Sequence, residues 1–500
     1  MRYLSGMALD PDRCWEALSA RDRRFEGRFV VGVRTTGVYC RPGCPARLPS
    51  RRNVRFFAHP AAAEAAGFRA CLRCRPEAAP GQPASAGTSA TVARALRLIG
   101  EGALDEGTLV DLAARLGVGG RHLTRLFREH LGVPPGAVAR ARRVHFARQL
   151  LDETDLPVAE IAFGAGFRSL RRFNEAVREA FGAPPSALRA RRVLVPAAGP
   201  WIRVPYRPPL DWAALHDYLS ARAVPGVERA EAGGYVRTTS TPEGPALVEV
   251  RPAATGQALE LRLTPPRPAA LLDAATRVRC LFDLDADPEV IAAALGADPL
   301  LGRAVRARPG LRVPGGWDPF EVVVRAVVGQ QVSVAAAARL AGRIAERCGE
   351  VVPAAGFAGL TRLFPAPAAI AATDPARLPL PRARAESLVA LAAAVARGEL
   401  ALRAGAGLEE TLSALRGRPG VGPWTEQYVA MRALREPDAF PAGDLALRRA
   451  LGAGVALAES EALARAEAWR PWRAYAAQHL WALDAERRVR GSPAIAGLGA

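Results

Sequence analysis

Four cysteines carry the first chemistry that the chain could perform. Cys40 and Cys44 stand four apart, Cys71 and Cys74 three apart, with 26 residues between the pairs. Two close thiolate pairs folded over by the loop between them are the ligand set for one tetrahedral zinc ion. Such a site either staples a small domain or supplies a deprotonated sulfur for nucleophilic attack. Much later, Leu415-Arg-Gly-Arg-Pro-Gly420-Val-Gly422-Pro-Trp424-Thr-Glu-Gln-Tyr428 sets a Gly-x-Gly turn at the opening of a helix. Free backbone N–H groups there suit a phosphate. About twenty residues on, Asp438-Ala-Phe-Pro-Ala-Gly-Asp444-Leu-Ala-Leu447 puts an aspartate before an apolar helix. Taken singly, the turn reads as a helix joint and Asp444 as an N-cap.

A second kind of signal is repetition. Arg128-Glu-His-Leu-Gly-Val-Pro-Pro returns fifty residues on as Arg178-Glu-Ala-Phe-Gly-Ala-Pro-Pro. Upstream of each copy a short helical pattern, a glycine and a second helical pattern follow one another: 111–117 with 121–127, and 160–166 with 169–174. That is the sequence form of a helix-turn-helix, and two in register make a tandem. The recognition helices fall at about Arg121–Phe127 and Ser169–Glu175. Arg121, His122, Arg125, Arg168, Ser169, Arg171, Arg172 and Asn174 are the candidate DNA contacts, while Leu112, Leu116, Leu123, Leu126, Ile161, Phe167 and Phe173 read as core.

These motifs need several domains to hold them. Five hundred residues, 50% hydrophobic, exceed one ordinary core and predict three to four. Residues 1–80 are expected to form a small α+β zinc domain, 91–192 an all-α tandem helix-turn-helix, 200–285 a small α+β domain and 286–490 an all-α domain. The fold class is thus multidomain and mainly α. Pro/Gly/Ser/Ala-rich stretches at 78–90 and 193–200 read as linkers. Residues 28–40 read as strand and turn, 91–192 as successive short helices. Strands are expected at 233–238, 246–251 and 259–263 and a helix at 211–222, with helices throughout beyond Asp287.

The charge balance is +19, from 68 basic and 49 acidic residues. It favours an anionic partner, nucleic acid first. All 68 basic residues are arginine. No side-chain amine can therefore form a Schiff base. The arginine-rich N-terminus and the lack of a long uncharged apolar run predict no signal peptide and no membrane span, hence a soluble protein of a reducing cytoplasm.

Three family resemblances sharpen this. Phe29-Val-Val-Gly-Val-Arg-Thr-Thr-Gly-Val-Tyr-Cys40-Arg-Pro-Gly-Cys44, Asn53-Val-Arg-Phe-Phe and Ala66-Gly-Phe-Arg-Ala-Cys71-Leu-Arg-Cys74 closely resemble the metal-binding domain of Ada DNA-alkylation-repair proteins, over nearly all of 10–77. The resemblance implies one zinc ion on Cys40, Cys44, Cys71 and Cys74, with Cys40 also accepting a methyl group from a methyl phosphotriester. Arg41, Arg47, Arg51, Arg52, Arg55, Arg69, Arg73 and Arg75 are then candidate phosphate contacts. Residues 91–192 resemble the DNA-binding domain of AraC-type regulators.

Residues 200–490 resemble the helix-hairpin-helix glycosylase superfamily, and within it the 3-methyladenine DNA glycosylase II family. The hairpin and aspartate motifs carry this, together with Trp201-Ile-Arg-Val-Pro-Tyr-Arg-Pro-Pro-Leu-Asp-Trp212, the run Gly329-Gln-Gln-Val-Ser-Val334, and Trp469-Arg-Pro-Trp-Arg-Ala-Tyr475 to Trp481. It implies Asp444 as the catalytic aspartate and Trp424, Tyr428 and Trp481 as base-pocket aromatics. Gln330 and Gln331 fall on the loop that fills the gap left by a flipped base, and Gly420 and Gly422 on the hairpin that meets DNA. Sister families cleave the strand with a lysine where this chain has Trp424, so base removal alone is expected.

The combined expectation is a fused alkylation-repair protein: phosphotriester sensor, transcriptional regulator and alkylbase glycosylase. Its partners would be double-stranded DNA, alkylated and promoter, with RNA polymerase beside it in the bacterial nucleoid. One alternative is a damage-responsive regulator whose C-terminal half binds without turnover; another is a repair enzyme whose middle domain only adds DNA affinity. The Pro-Cys-His-Arg alkyltransferase motif of Ada proteins is absent, and Cys14, Cys280 and Cys348 lie in no such motif.

Overall fold

The computed structural model describes residues 9–71, 73, 74, 76, 90–105, 107–190, 201–231, 233–353, 357–402 and 408–491. The expected linker at 193–200, all of that at 78–90 but its last residue, and Arg75 lie outside the described residues.

Asp10 opens the chain's first helix, Pro11–Ser19, by accepting the backbone N–H groups of Asp12 and Arg13, with proline at the start of the helix. Strands Val30–Val33 and Val38–Cys40 form a hairpin. Val54–Phe57 adds antiparallel to the first and Arg69–Ala70 parallel to the second. Between these two outer strands His59 caps helix Pro60–Ala65, its side chain accepting the Ala61 N–H at 3.1 Å.

That cap requires a neutral ring. Burial, opposed by Glu64 and aided by His145, holds His59 down to about 4. Burial and then Arg308 do the same for His479. An unfolded histidine titrates near 6.5, so between these values the unfolded chain binds more protons. The stabilisation is complete above about 6.5 and is lost as pH falls toward 4. Thermal unfolding is expected to shift to lower temperature between pH 7 and 4.5, with a flatter dependence in His479→Gln; a slope unchanged in that variant would contradict the assignment.

The repeat at 128 and 178 is a helix stop followed by a helix start. Helices Gly120–Leu131 and Leu170–Phe181 each end on a left-handed glycine, Gly132 (φ 79°) and Gly182 (φ 71°). The second proline of each Pro-Pro then opens the next helix, Pro135–Glu153 and Pro185–Ala190. Ahead of the two recognition helices lie Leu109–Arg115 and Val158–Gly164. The expectation of short helices throughout fails at Pro135–Glu153, which runs 19 residues. After Gly136 it meets neither glycine nor proline. Its first half, with Val138, Ala139 and Ala141, packs into the core of the first helix-turn-helix. Val144, Ala147, Leu150 and Leu151 pack into that of the second.

Five antiparallel strands follow, in the order Ile202–Pro205, Ala258–Thr264, Gly244–Pro252, Gly234–Thr241, Glu228–Glu231. Helix Trp212–Ser220 packs on this sheet. Among the described residues beyond it the regular structure is helical, apart from one isolated bridge between Val351 and Arg362. The hydrophobic core changes hands between Leu284, which packs with the sheet, and Ala286, which packs with the helical bundle.

The sheet's core does not stop at the sheet. Val30, Tyr39, Phe57, Ala63 and Ala70 of the cysteine region, Ile161, Phe173 and Val177 of the second helix-turn-helix, and Leu259 and Leu261 of the sheet belong to one apolar cluster. Polar contacts cross between domains as well. Tyr39 Oη donates to Glu64 Oε1 at 2.8 Å and lies 3.1 Å from His145 Nε2 on the 135–153 helix. Arg435 donates to Glu101 at 2.9 Å, and Arg97 to the Arg435 carbonyl at 2.6 Å. Among the described residues no helix is long and apolar enough to cross a membrane.

Candidate functional site

The parallel pairing of Val38–Cys40 with Arg69–Ala70 builds the cysteine centre. Val38 faces Arg69 and Tyr39 faces Ala70, so Cys40 and Cys71 leave adjacent strand ends together. Each then turns back to bring up Cys44 and Cys74. The four Sγ atoms lie within 4.8 Å of one another. Sulfurs at about 2.3 Å from a zinc ion stand about 3.8 Å apart, a separation within that span. Packed together the sulfurs share protons: hydrogen bonds with Cys44, then Cys71 and Cys74, push the Cys40 thiol up. Only a divalent cation lets all four carry charge at once. The donor set is that of a zinc ion.

Cys40, Cys44 and Cys74 are buried and Cys71 is half-buried. Around them Arg47, Arg52, Arg69 and Arg73 are exposed. Others are already engaged. Arg41 donates to the buried Glu26 at 3.0 Å, Arg51 pairs with Asp12, and Arg55 lies 4.8 Å over the Phe57 ring.

On the tandem helix-turn-helix, Leu123, Phe127 and Leu131 of one recognition helix and Phe173, Val177 and Phe181 of the other face inward. That leaves Arg121, His122, Arg125, Arg168, Arg171, Arg172 and Asn174 exposed, with Ser169 half-buried at the N-cap. Arg125 spans His122 and Glu129 at 3.0 Å each, and Arg171 reaches Glu175 at 3.0 Å. Exposed pairs of this kind are worth well under about 1 kcal/mol and release readily to a phosphate. Leu116, Leu126 and Phe167 are half-buried, Leu112 and Ile161 fully so.

In the C-terminal half, helices Leu408–Arg416 and Pro423–Arg432 form the hairpin. Gly420 makes its turn at φ 79°, and Gly422 stands exposed at the N-cap with no side-chain cap. Gln330 donates to the Gly420 carbonyl at 2.7 Å and to Thr425 Oγ1 at 3.0 Å, which ties its loop to the hairpin. Gln331 points the other way in character: it is exposed, at φ 60°. Val332 beside it is exposed too, an apolar tip that sequence reasoning passed over.

Asp444 is indeed an N-cap, but it is more than that. Its Oδ1 accepts Ala446 N at 2.9 Å and Leu447 N at 3.1 Å, capping helix Leu445–Leu451. The same carboxylate receives the indole N–H of Trp424 on Oδ2 and of Trp481 on Oδ1, each at 3.1 Å. Trp424 stacks on Tyr428 at 5.0 Å and 19°, one helical turn away. Asp444, Trp424, Tyr428 and Trp481 are all half-buried, so each keeps some surface that a ligand could reach. Arg470 and Arg473 clamp Asp438, the latter at 2.8 Å, and hold the loop that presents Asp444.

Two neighbours were not read from the sequence. Arg432 continues the 424, 428 stripe by one more turn, and that spacing was the available signal. Tyr218 comes from the sheet domain, over two hundred residues away, and its hydroxyl lies 3.4 Å from that of Tyr428. Its helix is held there by Arg325, which donates to the Arg222 carbonyl at 3.0 Å and pairs with Glu228 and Glu321. Arg237 joins Glu321 at 2.8 Å and completes a buried network between sheet and bundle.

A helix-hairpin-helix bundle with a carboxylate set among aromatic rings defines a base-excision DNA repair class, here joined to a metal-binding domain and a tandem helix-turn-helix. Comparison with known families agrees along the chain. The metal binding domain of Ada matches residues 13–77, a helix-turn-helix domain 112–191, the AlkA N-terminal domain 201–318, and the HhH-GPD superfamily of base excision DNA repair proteins 324–474. The probable bifunctional transcriptional activator/DNA repair enzyme AlkA of Mycobacterium tuberculosis is 46% identical over 94% of this chain and 96% of its own length. DNA-3-methyladenine glycosylase 2 of Escherichia coli is 34% identical over 55% of this chain and 95% of its own. The 3-methyladenine DNA glycosylase from Archaeoglobus fulgidus shares the fold of 58% of the chain, covering 99% of that structure, at TM-score 0.51 and 22% identity. The chain belongs to the family of bifunctional transcriptional activator/DNA repair enzymes AlkA.

Proposed function

We propose that this chain repairs alkylated DNA and regulates the response to it, by three linked actions on double-stranded DNA. The glycosylase half removes alkylated bases of the 3-methyladenine type and leaves the strand uncut. The observation that carries this is Asp444, which receives two indole N–H groups at 3.1 Å beside the stacked Trp424–Tyr428 pair. The target nucleotide must leave the duplex before its glycosidic bond can be reached. Gln331 and Val332 would fill the gap, while Gly420 and Gly422 hold the backbone. Trp424, Tyr428 and Trp481 stack on the extruded base, and Asp444 stabilises the oxocarbenium-like sugar as the bond breaks. No lysine is present to form a covalent adduct with that sugar.

The N-terminal domain would hold zinc on Cys40, Cys44, Cys71 and Cys74, and the bound ion keeps sulfur deprotonated at neutral pH. Cys40 Sγ then accepts a methyl group from a methyl phosphotriester: a C–S bond forms, the C–O bond breaks, and the phosphodiester anion leaves. The exposed faces of helices 120–131 and 170–181 read promoter DNA, with RNA polymerase as the further partner of an activator. Incubation with methylated duplex, reading released bases and the mass of the N-terminal peptides together, tests both chemical actions.

Methylation removes one negative charge beside phosphate-binding arginines. The methylated full chain is therefore expected to bind its promoter more tightly, with a smaller gain at high salt. Gel-shift titrations of both forms at two salt concentrations check this, and equal affinity at low salt would remove the switch.

A further inference from the structure

Arg432 sits behind the aromatic cleft, with its guanidinium carbon 4.9 Å from the Tyr218 ring centre, 5.8 Å from that of Tyr428 and 5.2 Å from that of Trp481. It is buried and fixed, donating to the Pro314 carbonyl at 2.7 Å and to Gln478 Oε1 at 2.8 Å. Its Nε–H is buried with no hydrogen-bond partner among the described residues. Arg222 also lies over the Tyr218 ring, at 4.0 Å. A permanent positive charge thus backs the rings, while the carboxylate of Asp444 stands at the edges of Trp424 and Trp481.

This polarity is unexpected in a pocket for cationic bases alone, because the rings already spend part of their cation-binding capacity on Arg432. We propose that Arg432 is a specificity-determining residue, whose charge favours departure of bases that gain negative charge and opposes the holding of bases that arrive positive. The inference rests on the glycosylase reading above. When the C1′–N bond breaks, its electron pair goes to the base and positive charge moves to the sugar. Water then adds to C1′ and gives up its proton. A cationic alkylpurine leaves neutral, whereas a neutral lesion leaves as an anion that takes a proton. In both cases charge on the base side becomes less positive. A cation behind the rings helps most where an anion would otherwise form, and Asp444 helps at the sugar throughout.

The position of Tyr218 agrees with this field. Burial opposes ionisation of its phenol, yet Arg432 and Arg222 bring it below the ordinary tyrosine range, while burial and Tyr218 itself push Tyr428 up.

Single-turnover excision is measured with the full chain on two duplexes, one carrying 7-methylguanine (cationic) and one hypoxanthine (neutral). Arg432→Met should lower hypoxanthine release at least about tenfold and change 7-methylguanine release by less than about threefold in either direction. Arg432→Lys, which keeps the charge, should restore the wild-type ratio. Parallel loss of both rates in Met and Lys variants would make the residue merely structural, and an unchanged ratio would overturn the proposal outright. A wild type that releases 7-methylguanine but not hypoxanthine would also overturn it while leaving the glycosylase reading intact. A wild type that releases neither would overturn the proposal, and one that also fails to release 3-methyladenine would remove the glycosylase reading with it.

Discussion

Asp444→Asn is expected to abolish release of 3-methyladenine while leaving DNA binding nearly intact. The asparagine oxygen can still accept Ala446 N and Leu447 N, so the cap on Leu445–Leu451 persists. What disappears is the negative charge, together with one acceptor. An amide NH2 at the Oδ2 position faces the Trp424 indole N–H, donor against donor. Losing one placed electrostatic group costs about 3–4 kcal/mol, a rate factor of roughly 100–1,000. The wild type should leave abasic sites that break only after alkali or an added endonuclease. Near-normal excision by the variant would place the working carboxylate elsewhere. A borohydride-trapped adduct with the wild type would overturn removal of the base alone.

Methyl-phosphotriester DNA is expected to transfer one methyl group per chain, to Cys40 and to no other cysteine. Peptide mass mapping reads it directly; a methyl on Cys44, Cys71 or Cys74, or none with zinc still bound, would defeat the assignment. Burial does not single Cys40 out, since Cys44 is buried to nearly the same degree and Cys71 less so. The assignment therefore stands on its place as first cysteine of the motif. Cys40→Ala should weaken zinc binding by more than roughly 100-fold, because even partners outside the ligand set are worth 10–100-fold. The sheet beneath should survive, because Val30, Tyr39 and Phe57 pack into the core shared with the second helix-turn-helix. Metal titration with circular dichroism separates the two effects.

The local geometry of the candidate residues was readable from sequence. Two cysteine pairs, a fifty-residue repeat and a Gly-x-Gly turn ahead of Trp424 and Tyr428 are short-range patterns, and each sets a ligand bite, a helix boundary or a helical stripe through backbone geometry alone. The Pro-Pro after Gly132 and Gly182 shows how directly this works, since a left-handed glycine ends one helix and a proline with preset φ begins the next. The repeat did not reveal that the helix between the two units is a single 19-residue rod serving two cores, because its apolar residues face two directions and their period blurs.

What meets across long stretches of chain was decided only in three dimensions. Asp444 reads as a helix cap because capping is a local bond, and nothing in its neighbourhood says that Trp481, 37 residues on, will donate to the same carboxylate. Tyr218 reaches Tyr428 through a buried charge network between two domains, and Arg432 becomes the floor of the cleft only once rings from three helices close over it. Local bonds are written in the spacing of residues along the chain. The placement of an aromatic cleft around a carboxylate depends on which surfaces bury each other, a property of the whole packed molecule.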